Sequence, residues 1–193
     1  GGLSVLTRCL AARCPVLFRN RGARAGSSQP HPHAQCVGLP VVPPRVAARD
    51  ARARGYFRRR GVPILRALLD EALDDGARVL EAEGPFCAVV PWAPHRPYES
   101  WIALRDVDGA SVPFGDLANG LLPALAATLL RAVRRVRAVT RGAAYNLVLR
   151  QPARAHAWAP WARWHLEVLP RMGGDAGFLA RVPSLAPGAR VAV

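Results

Sequence analysis

Arg78-Val79-Leu80-Glu81-Ala82-Glu83-Gly84-Pro85-Phe86-Cys87-Ala88-Val89-Val90-Pro91-Trp92-Ala93-Pro94-His95-Arg96-Pro97-Tyr98-Glu99-Ser100-Trp101-Ile102-Ala103-Leu104 is the stretch that decides the fold. It divides into three strand-like runs, Arg78–Glu83, Phe86–Trp92 and Tyr98–Leu104, with the link Ala93–Pro97 between the last two. Connections this short join antiparallel neighbours, because a parallel pair needs a long crossover. Upstream, Pro63 opens a helix whose Leu65, Leu68, Leu69, Ala72 and Leu73 share one stripe, and Gly76 stops it. Before it, Arg45 to Arg60 reads as a very basic helix. Pro15–Phe18 reads as a short buried strand, Asn20–Pro30 as a Gly/Ala/Ser-rich loop, and His31–Val42 as a strand ended by Pro43-Pro44. Residues 1–14 read as the end of a helix. Downstream come a Leu/Ala helix from about Pro123 to Val139, strands at Tyr145–Leu149 and Trp164–Leu169, and a tail from Pro183 with several Pro, Gly and Ala residues. This order predicts an α+β fold, an antiparallel sheet with helices packed on one face.

The composition narrows the function classes. About half of the 193 residues are apolar (51%), which suits a packed core rather than a disordered chain. No window approaches the roughly 18 uninterrupted apolar residues of a membrane helix. Arg8 and Arg13 interrupt the mildly apolar start, so it lacks the order of a signal peptide. The only methionine is Met172, which gives the expectation that the chain starts inside a longer protein. The net charge is +14, and all 27 basic residues are arginine. Arginine alone in that number reflects a GC-rich coding sequence more than a nucleic-acid surface. Arg131, Arg134, Arg135 and Arg137 alternate with Leu129, Val133 and Val136 as the wet face of a helix does. A small polyanionic substrate also suits a basic surface. Cys9, Cys14, Cys36 and Cys87 form no Cys-x-x-Cys pair and no disulfide framework, so a reduced cytoplasmic setting is expected.

The chemistry concentrates in Asn20-Arg21-Gly22-Ala23-Arg24-Ala25-Gly26-Ser27-Ser28-Gln29-Pro30-His31-Pro32-His33-Ala34-Gln35. If the second half is extended, His31, His33 and Gln35 share a face. Pro32 has no N–H to donate, so the segment is expected at a sheet edge. Gly22 and Gly26 permit close approach of the backbone to a ligand, and Ser27 and Ser28 add hydroxyls beside amides that can form an anion nest. A neutral imidazole is a good nucleophile toward phosphorus when a backbone carbonyl holds the proton on its other nitrogen. Gln35 can donate to a phosphate oxygen as charge builds up on it.

The pattern Asn-x-Gly-x-x-x-Gly-x-Ser-x-x-His-Pro-His-x-Gln resembles the active-site signature of the galactose-1-phosphate uridylyltransferase-like family, in the histidine-triad superfamily. Phe86–Pro94 with Arg96–Ile102, Tyr145–Leu149 and Trp164–Arg171 resemble further blocks of that family, so the likeness runs from about Pro15 to Phe178. The resemblance implies the carboxy-terminal portion of such an enzyme. Residues 1–46 would be the end of an amino-terminal histidine-triad half, and residues 47–193 the carboxy-terminal half. It implies His33 as covalent nucleophile, aided by Gln35. It also implies nucleotide and phosphate contacts from Asn20, Gly26, Ser27, Ser28 and Gln35. The implied reaction moves a nucleoside monophosphate, UMP in the leading reading, between a nucleotide sugar and a hexose 1-phosphate. An ADP-glucose phosphorylase-type reaction, or an inactive relative acting as a binding or assembly module, are the alternatives. The implied cofactor is zinc, with His31 as a ligand whose partners lie upstream of the first residue. The implied assembly is a homodimer, with neither membrane nor nucleic acid as partner.

The chain departs from the family in three places. Many relatives carry His where this chain has Arg150 and Arg163, positions that contribute to a second metal site in some members. Two fixed cations cannot replace two imidazoles, so that site is expected to be lost, leaving His165 alone. A Glu that contacts the sugar in the family is Leu179 here, which cannot accept a hydroxyl hydrogen bond. His95 and His156 are expected in exposed loops, and Glu99 beside Arg96 as a structural clamp.

Overall fold

Hydrophobic periodicity along the chain translates into seven strands and three α-helices in the computed structural model, which describes residues 12–29, 31–105 and 112–172. The strands are β1 (Cys14–Arg21), β2 (Gln35–Leu39), β3 (Val79–Glu81), β4 (Phe86–Val89), β5 (Ser100–Leu104), β6 (Tyr145–Arg150) and β7 (His165–Pro170). The helices are α1 (Pro44–Arg60), α2 (Ile64–Asp75) and α3 (Leu122–Val139). Proline sits in the first turn of α1 and of α3, and α1 and α2 end on Gly61 and Gly76 with positive φ, the usual asymmetry of helix ends. The readings of residues 1–11, of Leu179 and of the tail from Pro183 lie outside the described residues.

All strands join one sheet in the order β2-β1-β6-β7-β5-β4-β3, and every neighbouring pair is antiparallel. The α+β class and the antiparallel sheet stand as expected. The helices, expected on one face, divide between the two. Phe86, Ala88 and Ile102 pack with Leu125, Ala132, Val133 and Val136 of α3. Cys87, Val89 and Ala103 pack with Leu65, Leu69 and Ala72 of α2. Val46 of α1 packs against Phe18, Val37 and Val148 on that same second face. The physical reason lies in β4, whose four residues are all buried. A strand that is apolar at every position needs cover on both sides, since successive side chains point to opposite faces.

Several boundaries also differ from the expectation: Cys14, read as helix, opens β1, β2 ends at Leu39 rather than Val42, and β4 ends at Val89 rather than Trp92. Two further differences bear on the site. Asn20 and Arg21, read as loop, are strand, because they pair with Asn146 and Tyr145 of β6. His31–Ala34, read as strand, precede β2: the β1–β2 register ends at Phe18 opposite Gln35. Beyond that pair β1 continues to Arg21 against β6 alone, and Pro32, which has no N–H to donate, interrupts any further ladder with His31–Ala34. The face shared by the two imidazoles therefore does not come from a pleat.

Candidate active site

The turn after β1 is built from glycine. Gly22 has φ 85°, and a Cβ on it would lie 2.9 Å from the Cβ of Ala144. From there residues 23–25 make one tight turn that closes on Gly26 at φ 81°. The amides of Ala25 and Ser27 donate to the Gly22 carbonyl at 3.0 and 3.3 Å, and that of Gly26 to the Ala23 carbonyl at 2.9 Å. Those three amides serve the turn itself. The Ser27 hydroxyl donates to the Gln29 carbonyl at 2.9 Å, and Ser28 is exposed.

Beneath the turn lies a buried amide network. Asn146 of β6, fully buried, donates to the Asn20 side-chain oxygen at 2.6 Å and to the Ala25 carbonyl at 2.9 Å. Asn20 donates in turn to the Gly26 carbonyl at 3.2 Å, and Arg171 donates to the Asn146 oxygen. Sequence reasoning found Asn20 but not Asn146 or Arg171. Asn146 was visible as a polar residue in a strand, yet nothing in its position along the chain points to a partner 126 residues away.

A cleft of about 470 Å³ opens on this turn, lined by Arg19, Asn20, Arg21, Ser27, Ser28 and His31 among others. The structure thus brings together Asn20, Ser27, Ser28 and His31. His33 and Gln35 do not line it. His33 stands beside it, its ring centroid 5.3 Å from that of His31. Its Nδ1 lies 3.0 Å from the His31 carbonyl oxygen. A carbonyl can only accept, so Nδ1 carries the proton and Nε2 of the neutral ring presents its lone pair. Gln35 begins β2 opposite Phe18 and is half-buried. Arg21 extends over the Tyr145 ring at 5.9 Å, which keeps a guanidinium at the rim.

Among the described residues no group of three or more His, Cys, Asp or Glu could hold a metal. His31 is exposed, so the described residues do not make up a zinc site, and zinc there would need further ligands. At the second position implied by the resemblance, Arg49, Arg150, Arg163 and His165 line one small cavity with Trp101 and Trp161. Arg150 Nε lies 2.7 Å from Glu167 Oε2, and His165 Nε2 lies 3.4 Å from Glu167 Oε1. Burial pushes His165 below its ordinary pKa, while hydrogen bonding from His165 and the Arg150 charge hold the Glu167 carboxyl at about 2 despite its burial. A divalent cation placed here would share the cavity with three guanidinium groups, so these residues do not fit one.

The remaining candidates serve packing. Glu99 is 1% exposed and accepts from the His95 amide at 2.8 Å and the Trp101 indole at 2.9 Å. His156, though exposed, lies 3.0 Å from the Asp50 carboxylate. Trp161 and Trp164 are buried; Trp92 and Trp158 are exposed.

The fold superposes on solved structures of two Arabidopsis thaliana proteins over more than nine-tenths of this chain. A galt-like protein of Arabidopsis thaliana superposes with a TM-score of 0.75 at 26% identity, covering 93% of this chain and 58% of that one. An ADP-glucose phosphorylase of the same plant, solved with bound ADP-glucose, superposes with a TM-score of 0.73 at 27% identity, over 91% of this chain and 54% of that one. In sequence, the chain is 30% identical to an Arabidopsis thaliana ADP-glucose phosphorylase over 164 residues, 84% of this chain and 44% of the relative. It is 37% identical to a Thermotoga maritima galactose-1-phosphate uridylyltransferase over 84 residues, 43% of this chain and 26% of the relative. No family model matches the chain. This chain is a homologue of the galactose-1-phosphate uridylyltransferase-like proteins, and it spans at most about half the length of these curated relatives. No helix among the described residues is long and apolar enough to cross a membrane.

Proposed function

We propose that the protein carrying this chain is a nucleotidyltransferase that moves a nucleoside monophosphate, UMP in the leading reading, between a nucleotide sugar and a hexose 1-phosphate through His33. The observation that carries the reading is the hydrogen bond from His33 Nδ1 to the His31 carbonyl, which selects the tautomer whose free lone pair is on Nε2, beside a cleft lined with serine, asparagine and arginine. Nε2 attacks the α-phosphorus. The N–P bond forms as the bond to the sugar-1-phosphate oxygen breaks, and the electron pair leaves on that oxygen. A phosphate oxygen of the acceptor then attacks the same phosphorus, and the N–P electrons return to Nε2. Arg19, Arg21 and Ser28 would receive the phosphate charge at the turn, and Gln35 would donate to the transferring phosphoryl group. On this reading residues 1–46 and 47–193 belong to two histidine-triad halves, and the protein works as a homodimer in the cytoplasm.

One observation favours a second reading. The match to an ADP-glucose phosphorylase covers 84% of the chain, against 43% for the uridylyltransferase match. In that reaction the donor is ADP-glucose and inorganic phosphate takes the acceptor's place at the same histidine.

The test is incubation of the full-length protein with UDP-glucose or ADP-glucose labelled in the α-phosphate, followed by a search for acid-labile label. Wild type should take up label from one of the two donors, and His33→Ala should take up none. Label that survives His33→Ala would reject transfer through this residue, and no label on wild type from either donor would reject transfer and leave a binding or assembly module.

A further inference from the structure

Asn20 and Asn146 are directly opposed in the β1–β6 ladder, so their side chains leave the sheet on the same face. Asn146 has two N–H groups and both are in use, one on Asn20 and one on the Ala25 carbonyl. Its oxygen accepts from Arg171, a residue only 2% exposed whose own amide continues the sheet by donating to the Ala144 carbonyl at 2.8 Å. Asn20 passes the chain of donors on to the Gly26 carbonyl. The direction is uniform: guanidinium to Asn146, Asn146 to Asn20, Asn20 to the turn. A charged donor at the start polarises each amide after it and strengthens the bonds that end on the turn. Because the network is buried, shifting the turn would strand a carbonyl or an amide without a partner.

We propose that Asn146 and Arg171 are positioning residues that hold the Gly22–Ser28 turn, and with it Ser27 and Ser28, at a set distance from the His31-Pro32-His33 segment. Neither residue lines the cleft, so both act through Asn20 and the turn carbonyls. This role rests on the nucleotidyl-transfer reading for its purpose but not for its geometry. It explains why a turn whose own amides are occupied with one another can still present a fixed surface to a phosphate.

The test uses Asn146→Asp, which keeps the oxygen facing Arg171 and removes both donors, together with Arg171→Met and the conservative Arg171→Lys. Asn146→Ser serves as a milder substitute should Asn146→Asp fail to fold. Hydrogen exchange of the full-length protein is read at residues 25–27 and at Leu147 and Val168 in β6 and β7. The loss of two buried hydrogen bonds should speed exchange at 25–27 by about tenfold or more and leave the strand amides protected. Binding of UDP or ADP should weaken about as much, with Arg171→Lys nearer to wild type than Arg171→Met. Unchanged exchange at 25–27, or equal acceleration in the strands, would overturn the positioning role. Loosening confined to the turn, in a protein whose wild type binds neither UDP nor ADP, would uphold the positioning role and reject the transferase reading.

Discussion

Glu167 is held between His165 and Arg150 on the sheet face that α1 and α2 cover. Burial works against its charge, but the two partners outweigh it and bring the carboxyl from 4.5 down to about 2. A carboxyl lowered on folding contributes stability that is complete above its unfolded value and is lost as the pH falls toward the folded one. For Glu167 that window runs from about 4.5 down to about 2. His165 is lowered from 6.5 chiefly by burial, so the folded state prefers its neutral form and loses stability as the pH drops below that value. Both groups therefore predict that acid weakens the protein, beginning with the histidine and steepening with the carboxylate. The midpoint of urea unfolding should fall between pH 7 and pH 3. Glu167→Gln should lower it at pH 7 and flatten the limb below pH 4.5. Parallel curves for wild type and variant would show that Glu167 does not carry this dependence.

At the scale of elements, α2 shows how a stripe read from the sequence is refined by its contacts. Leu65, Leu68, Leu69, Ala72 and Leu73 share helical spacing, but Leu69 is 3% exposed against Cys87, Val89 and Ala103 while Leu68 is 37% exposed. Leu69→Ala should lower unfolding free energy by about 2–5 kcal/mol, and Leu68→Ala by less than about 1 kcal/mol. Equal losses in urea titrations would mean that the helix is rotated from the orientation described. The helices were legible to within a residue or two because their caps are local: Pro63 and Gly76 bracket α2. The strand ends were less so. β1 extends to Arg21 only because β6 is there to pair with it, and no residue within β1 announces that partner.

For the whole molecule, Asp50 ties α1 to a segment about a hundred residues away. It is 3% exposed and accepts from the Ala153 amide at 2.9 Å, with His156 Nδ1 at 3.0 Å. Removing it leaves a buried amide without its acceptor, so Asp50→Ala should cost about 1–3 kcal/mol in urea unfolding, whereas Asp50→Asn, which keeps an acceptor oxygen, should cost less. Asp50 drew no notice in the sequence, where it is one acid in a very basic helix. The same holds for Asn146 and Arg171. What the sequence determined by itself was local: helix stripes and caps, apolar strand runs, the glycines of the turn, and the His-Pro-His segment. These depend on a few consecutive residues and their steric and hydrophobic preferences. Only the tertiary structure decided the order of the sheet and the division of helices between its faces. It also decided which buried polar groups met, including those that hold the turn against His31. Those depend on pairings between distant segments, where each donor is satisfied by whichever acceptor the packed sheet brings to it.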